Sequence, residues 1–307
     1  MKFLITVDTE ADNQWRAKGP LTLRSIEKLP HFQEVAEHYG FRPTYFITHE
    51  VATNKEVTGV MRELEREGKS EVGAHLHPWT TPPYFDESEE RHLKHFPCEL
   101  NDEFLKKKFE VLHDAITTAM GHAPTSFRAG RWGYDGRLDP LLAEHGYVAD
   151  SSVSPYMNWV RGIKKGEGRK LPDFLDASPF PYISPRGIAE VPMSILPKDV
   201  AWISRAGARM LGRGSFRVSW CRIFSETSLE MLKDLYFRAE AKHLPYLVFM
   251  THSSELLVGG SPYSKTPELV AHFNEVFEGF LDFLQKQGIA GATATEAGRE
   301  ILAESRA

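Results

Sequence analysis

Short apolar runs alternate with longer amphipathic stretches along almost the whole 307-residue chain, and few architectures tolerate that pattern. Phe3-Leu4-Ile5-Thr6-Val7 is nearly unbroken in its apolar character, as a strand covered on both faces must be. Thr44 to Ile47, Glu71 to His75 and Tyr246 to Thr251 read the same way, with shorter runs at Ser126 to Gly130, Tyr147 to Asp150, Ile188 to Val191 and Ile289 to Ala294. Helices are expected from Ser25 to Tyr39, Lys55 to Glu67, Asp102 to Met120, Leu138 to His145, Thr227 to Lys242, Pro267 to Lys286 and onward from Thr295. Gly40, Gly68, Gly121 and Gly146 stand where four of these should stop, and Asn101 where one should be capped.

Strand-then-helix repetition predicts a parallel sheet, open or closed, and such sheets collect chemistry at the carboxyl ends of their strands. Two stretches depart from the repeat: a polar excursion near 80–101, and residues 155–188, which are rich in Pro, Gly and charge. Both read as loop insertions, the first an excursion over one end of the fold and the second a functional insertion. Residues 198–222 give no clear pattern. With no internal repeat, low-complexity tract or linker, one domain over 1–307 is the expectation.

Composition narrows the partners. A net charge of -5 without a basic cluster argues against nucleic acid. Cys98 and Cys221 are far apart and in no metal-type spacing, which points to a reducing compartment. The run at the start is too short for a secretory signal, and none approaches the roughly 20 apolar residues of a membrane span. A cytoplasmic protein without an integral membrane span is expected.

The strand ends offer Asp8 and Glu10, His75 and His77, Arg128, Asp150 and His252. In extended chain, residues two apart share a face, so the rings of His75 and His77 could converge on one metal ion. In a chain with thirteen histidines the His-x-His pair alone is a weak signal; its company at the other strand ends is what gives it weight. Trp15, Trp79 and Trp132 follow these motifs by a few residues, and their faces suit sugar rings, although tryptophans are more often packing anchors. Asp150, ahead of Ser151 and Ser152, also reads as a turn or cap residue.

Five segments in order, Thr6-Val7-Asp8-Thr9-Glu10, Gly73-Ala74-His75-Leu76-His77-Pro78-Trp79, Phe127-Arg128-Ala129-Gly130-Arg131-Trp132-Gly133, Asp150-Ser151-Ser152-Val153-Ser154-Pro155 and Thr251-His252-Ser253, resemble the polysaccharide deacetylase (NodB-homology, carbohydrate esterase) superfamily. The branch linked to lipopolysaccharide and exopolysaccharide synthesis is the nearest. The resemblance implies a distorted seven-stranded (β/α) barrel of the α/β class and metal-dependent removal of an N-acetyl group from a sugar or glycan precursor. It makes Asp8 the general base, His252 the general acid, Arg128 the residue that steers Asp8, and Asp150 the acidic partner of His252. It places the metal on Glu10, His75 and His77, with zinc first and cobalt, nickel or iron as alternatives. Two departures stand out: Thr9 occupies the usual position of the ligand carboxylate, and Trp79 that of the second histidine.

Amide hydrolysis asks for these types on its own account: a Lewis-acid ion with open positions, a base near the water, and an acid for the leaving amine. Two other classes stay open at this point. One is a different barrel metallohydrolase; the other is an inactive relative that binds glycans or serves as a scaffold.

Overall fold

A computed structural model describes residues 1–14, 21–84, 95–159, 171–198 and 218–305. Trp15, parts of both expected insertions and most of 198–222 lie outside the described residues.

The described chain runs β1 (Lys2–Thr9), α1 (Leu29–His38), β2 (Pro43–Ile47), α2 (Lys55–Glu65), β3 (Glu71–Leu76), α3 (Asp102–Met120), β4 (Ser126–Ala129), α4 (Leu138–Glu144) and β5 (Ala149–Asp150). It continues through β6 (Tyr182–Ile183), β7 (Ala189–Glu190), β8 (Ile195–Pro197), β9 (Val218–Trp220), α5 (Leu229–Ala241), β10 (Tyr246–His252), α6 (Pro267–Lys286), β11 (Ala290–Gly291) and α7 (Ala294–Glu304). The order β10-β1-β2-β3-β4-β5-β7 is parallel throughout, seven strands as the barrel reading requires, with β6 antiparallel on the outer edge of β7 and β11 beside the start of β1.

The sheet curls as a half-barrel, and among the described residues no ladder joins β7 to β10. That seam is occupied by the β8–β9 ribbon, which the sequence pattern left unread. The Val248 N–H donates to Ser194 Oγ at 2.8 Å and the Met250 N–H to the Cys221 carbonyl at 3.1 Å. These bonds satisfy donors of β10 that a closing strand would otherwise take up.

Alternation along each strand sorts residues into two layers. Phe3, Ile5 and Val7 of β1, Tyr45 and Ile47 of β2, Val72, Ala74 and Leu76 of β3, Phe127 and Ala129 of β4, and Leu247 and Phe249 of β10 join one core beneath the helices. Leu4, Val248 and Met250 join a second core with Trp132, Val153 and Met193, on the inner side of the curl. Helix α6 supplies the aromatic side of the outer core: Phe280 meets Phe3 edge-on at 5.8 Å, and Phe277 stacks on Phe32 at 4.7 Å. Each such buried ring contributes about 1.5–3 kcal/mol. The inner face is crowded: a Cβ on Gly73 would stand 2.7 Å from the Phe46 ring.

Caps fall where the sequence places them. Asn101 accepts from the Phe104 N–H at 2.9 Å, and α3 ends at Gly121 in the left-handed region (φ 81°). The helix expected from Ser25 is divided into a 3-10 turn, Arg24–Lys28, and α1, whose first turn holds Pro30 where no N–H is needed.

Candidate active site

Asp8 and Glu10, two apart, continue the inward parity of Leu4 and Thr6. Thr9 has the other parity and its hydroxyl donates to the Val7 carbonyl at 3.2 Å, so a carboxylate there would not share the inward face of Asp8. Glu10 is anchored by reciprocal bonds with Ser253 just past β10: its N–H donates to Ser253 Oγ, which donates to the Glu10 carbonyl, each at 3.2 Å.

His75 and His77 present rings 4.5 Å apart. His75 Nδ1 lies 2.9 Å from the carbonyl of Arg128, its register partner across β3–β4. A carbonyl only accepts, so Nδ1 carries the hydrogen and Nε2 keeps its lone pair. Burial lowers the affinity of His75 for a second proton; Asp8 opposes this, and the net shift is downward, toward the neutral form that ligates. His77 Nε2 stands 3.2 Å from Glu10 Oε2. Ligand atoms of Glu10, His75 and His77 all lie within 4.8 Å of one another. One carboxylate and two neutral imidazoles, the first with its lone pair aimed by a backbone bond, fit a zinc-type ion that retains open positions.

Behind His77, Trp79 stacks at 4.1 Å and 26°, and its indole N–H donates to Gln14 Oε1 at 2.9 Å. Gly130 leaves room for the same ring: a Cβ there would sit 2.5 Å from His77 Cδ2 and against the Leu76 carbonyl.

Arg128 is fully buried. It donates to Asp8 Oδ1 at 2.6 Å, to Thr6 Oγ1 and Ser151 Oγ at 3.0 Å, and to the Ser151 carbonyl at 3.0 Å, with its guanidinium 4.5 Å over the Phe46 ring. Burial pushes the Asp8 carboxyl up, but Arg128 together with His75 and His252 outweighs it and holds Asp8 below the usual carboxylate range. Asp8 Oδ2 is 3.7 Å from His75 Nε2 and 4.0 Å from His252 Nε2, and Asp8 and His252 are register partners across β1–β10.

The carboxylate on His252 is not Asp150. Nδ1 of His252 bonds Glu255 Oε1 at 2.6 Å, from the 3-10 turn Ser253–Leu256 that follows β10. Glu255 also accepts from Arg222 and from Thr251 Oγ1 at 3.0 Å, and Arg222 Nη2 lies 3.1 Å from the same Nδ1. Burial raises the Glu255 carboxyl, and Arg222 and His252 more than reverse it. Asp150 is engaged elsewhere: it accepts from Ser152 Oγ at 2.5 Å and faces its register partner Glu190. Burial raises both carboxyls, Asp150 to about 7 and Glu190 well above its ordinary value, and the charge of Asp150 raises Glu190 further.

The tryptophans also find protein partners. Trp79 is buried with a face on His77, and Trp132 is buried with Arg128 at 5.3 Å and Trp220 at 6.2 Å, so both serve packing in place of the expected sugar platforms. Trp15 lies outside the described residues. Glu255 and Arg222 escaped the sequence reading; the one available signal was Glu255 three residues after His252, on the next turn of chain.

No family model and no curated protein matches the sequence. Solved structures do. A protein of Mycobacterium smegmatis assigned as a polysaccharide deacetylase superposes with TM-score 0.60 at 15% identity, covering 99% of this chain and 90% of that one. A 4-α-glucanotransferase from Thermococcus litoralis gives 0.52 at 14%, with 99% of this chain on 38% of that enzyme. A family GH57 branching enzyme from Thermococcus kodakaraensis gives 0.51 at 11%, covering 95% and 70%. At these identities the likeness is one of fold, and fold alone does not choose among reactions. The chain thus shares its fold with that deacetylase-assigned protein and with the two glucan-processing enzymes.

Proposed function

We propose that the protein is a metal-dependent hydrolase that removes an N-acetyl group from a sugar or glycan precursor in cell-surface polysaccharide synthesis. The observation that carries this reading is the convergence of Glu10, His75 and His77 beside an Arg-held Asp8 and a Glu-held His252. Glu10, His75 and His77 would hold a divalent ion, zinc first and cobalt, nickel or iron next, which when bound would polarise the amide carbonyl and acidify water.

The remaining roles fall to the chain itself. Asp8, kept ionised by Arg128, takes the proton of the attacking water as general base. His252, with Nδ1 on Glu255 and Nε2 toward the site, gives its Nε2 proton to the leaving amine. Burial of Asp8 and both ligating histidines keeps bulk water from screening these charges. Cys98 and Cys221, both buried and far apart in the chain, suit a reducing, cytoplasmic setting, and no helix among the described residues is long and apolar enough to cross a membrane.

Elemental analysis of wild type and of His75→Ala/His77→Ala, both purified without affinity-tag metals, tests the centre. Acetate release from N-acetylated sugars and their activated precursors then tests the reaction. About one ion per wild-type chain, lost in the variant, with acetate released by wild type, supports the reading. An absence of metal after incubation with zinc, cobalt or nickel replaces it with a glycan-binding, inactive protein.

A further inference from the structure

Helix α3 carries a residue that its own pattern does not ask for. Its buried stripe is Leu105, Phe109, Leu112, Ile116, Ala119 and Met120, and within it stands Lys108, fully buried. The Nζ donates to three backbone carbonyls of one loop: Pro78 at 2.8 Å, Thr81 at 2.7 Å and Pro83 at 2.6 Å. It also lies 5.0 Å from the centre of the Tyr84 ring. Converging carbonyls suit the N–H groups of an ammonium, whereas a neutral amine would turn a lone pair on one of them. A charge is costly to bury, so its presence in an apolar stripe calls for a function.

The loop it gathers starts at a proposed metal ligand. The N–H groups of Thr80 and Thr81 return to the His77 carbonyl at 3.2 and 3.1 Å, Tyr84 Oη donates to the Thr80 carbonyl at 2.9 Å, and Trp79 backs the His77 ring. We infer that Lys108 is a positioning residue for the metal centre: its ammonium templates the 78–83 loop, which in turn fixes the orientation of His77. The cage has the chemistry of a site for a primary ammonium, filled in this chain by its own side chain. This inference rests on the metal reading of Glu10, His75 and His77.

Wild type, Lys108→Ala and Lys108→Arg are titrated with Co²⁺, reading Kd by calorimetry and ligand geometry by visible absorption, with melting temperature recorded in parallel. In Lys108→Ala the Kd rises by about tenfold or more and the absorption band changes. Propylammonium, the fragment removed, restores both, while tetramethylammonium, which has no N–H, does not. Should that variant fail to fold, Lys108→Arg carries the test, because its flat fork cannot aim three N–H groups at one converging set of carbonyls, and it too binds Co²⁺ more weakly. A wild-type Kd in either folded variant overturns the inference alone, since a merely structural lysine would change melting temperature and not affinity. If wild type takes up no Co²⁺, the metal reading falls and the inference with it.

Discussion

His252 and Glu255 form a dyad within one turn of chain: imidazole Nδ1 sits 2.6 Å from a buried carboxylate only three residues later. The partner of the proposed acid therefore travels with it at the end of the same strand. Replacing Glu255 by Gln keeps the shape and removes the charge. Turnover should fall about 10–100-fold with metal content unchanged, because the ring loses its orienting anion and not its neighbours. His252→Ala should keep the metal and lose about 10²–10⁴-fold in turnover. Steady-state kinetics with elemental analysis checks both, and near wild-type turnover of His252→Ala would remove it as the acid.

Arg128 and Asp8 form a fully buried ion pair, and breaking one side should be worse than removing both. Arg128→Met leaves a buried carboxylate without its guanidinium partner and should cost about 3–5 kcal/mol. Without the guanidinium, burial dominates at Asp8, so the acid limb of the pH–rate profile moves to higher pH. The double variant Arg128→Met/Asp8→Asn should regain part of the lost stability while staying inactive. Denaturant unfolding of the single and double variants measures the coupling.

Gly130→Ala places a methyl group against His77 and a β3 carbonyl. The nearest atom is the Leu76 backbone carbonyl, so the end of β3 and the His77 ring beyond it must both shift. Metal affinity should weaken by about 10–100-fold with the fold retained, as read by metal titration beside circular dichroism. Unchanged affinity would mean that the ring's position is not what Gly130 protects.

Asp150 and Glu190 make a pH prediction that is separate from catalysis. Both carboxyls are raised in the folded state, Asp150 from 3.8 to about 7. The folded protein thus binds protons that the unfolded chain has released, and this contribution is present in full below pH 4 and is lost as pH rises toward 7 and beyond. Glu190→Gln, which can still donate to Asp150, should flatten the decline, raising the melting temperature at pH 8 by about 2–4 °C per kcal/mol recovered. An identical pH dependence in the variant would count against Glu190 as a source of the decline.

What was legible in the sequence followed from strand parity. Asp8, Glu10, His75, His77, Arg128 and His252 sit at the ends of strands whose apolar runs announce them, and period two decides which residues face inward. The same rule shows why Thr9 is no loss to the site. Glu255 was not legible because a 3-10 turn has no hydrophobic period to mark its inner face, and Arg222 because it follows a stretch without pattern. Asp150 was assigned by analogy, and the structure gives it a neighbour, Glu190, that lies 40 positions away in the chain but adjacent in the sheet. Lys108 was hidden inside a helix otherwise read correctly, since a stripe is scored by its apolar members.

The β8–β9 ribbon in the seam has a further consequence. Asp8, His75 and Arg128 stand on strands laddered on both sides, whereas β10, which brings His252, has among the described residues a strand ladder on one side and isolated bonds to the ribbon region on the other. Among the described residues the proposed acid therefore stands at the edge of the parallel ladder, and the proposed base and the strands that lead into the proposed metal ligands stand inside it.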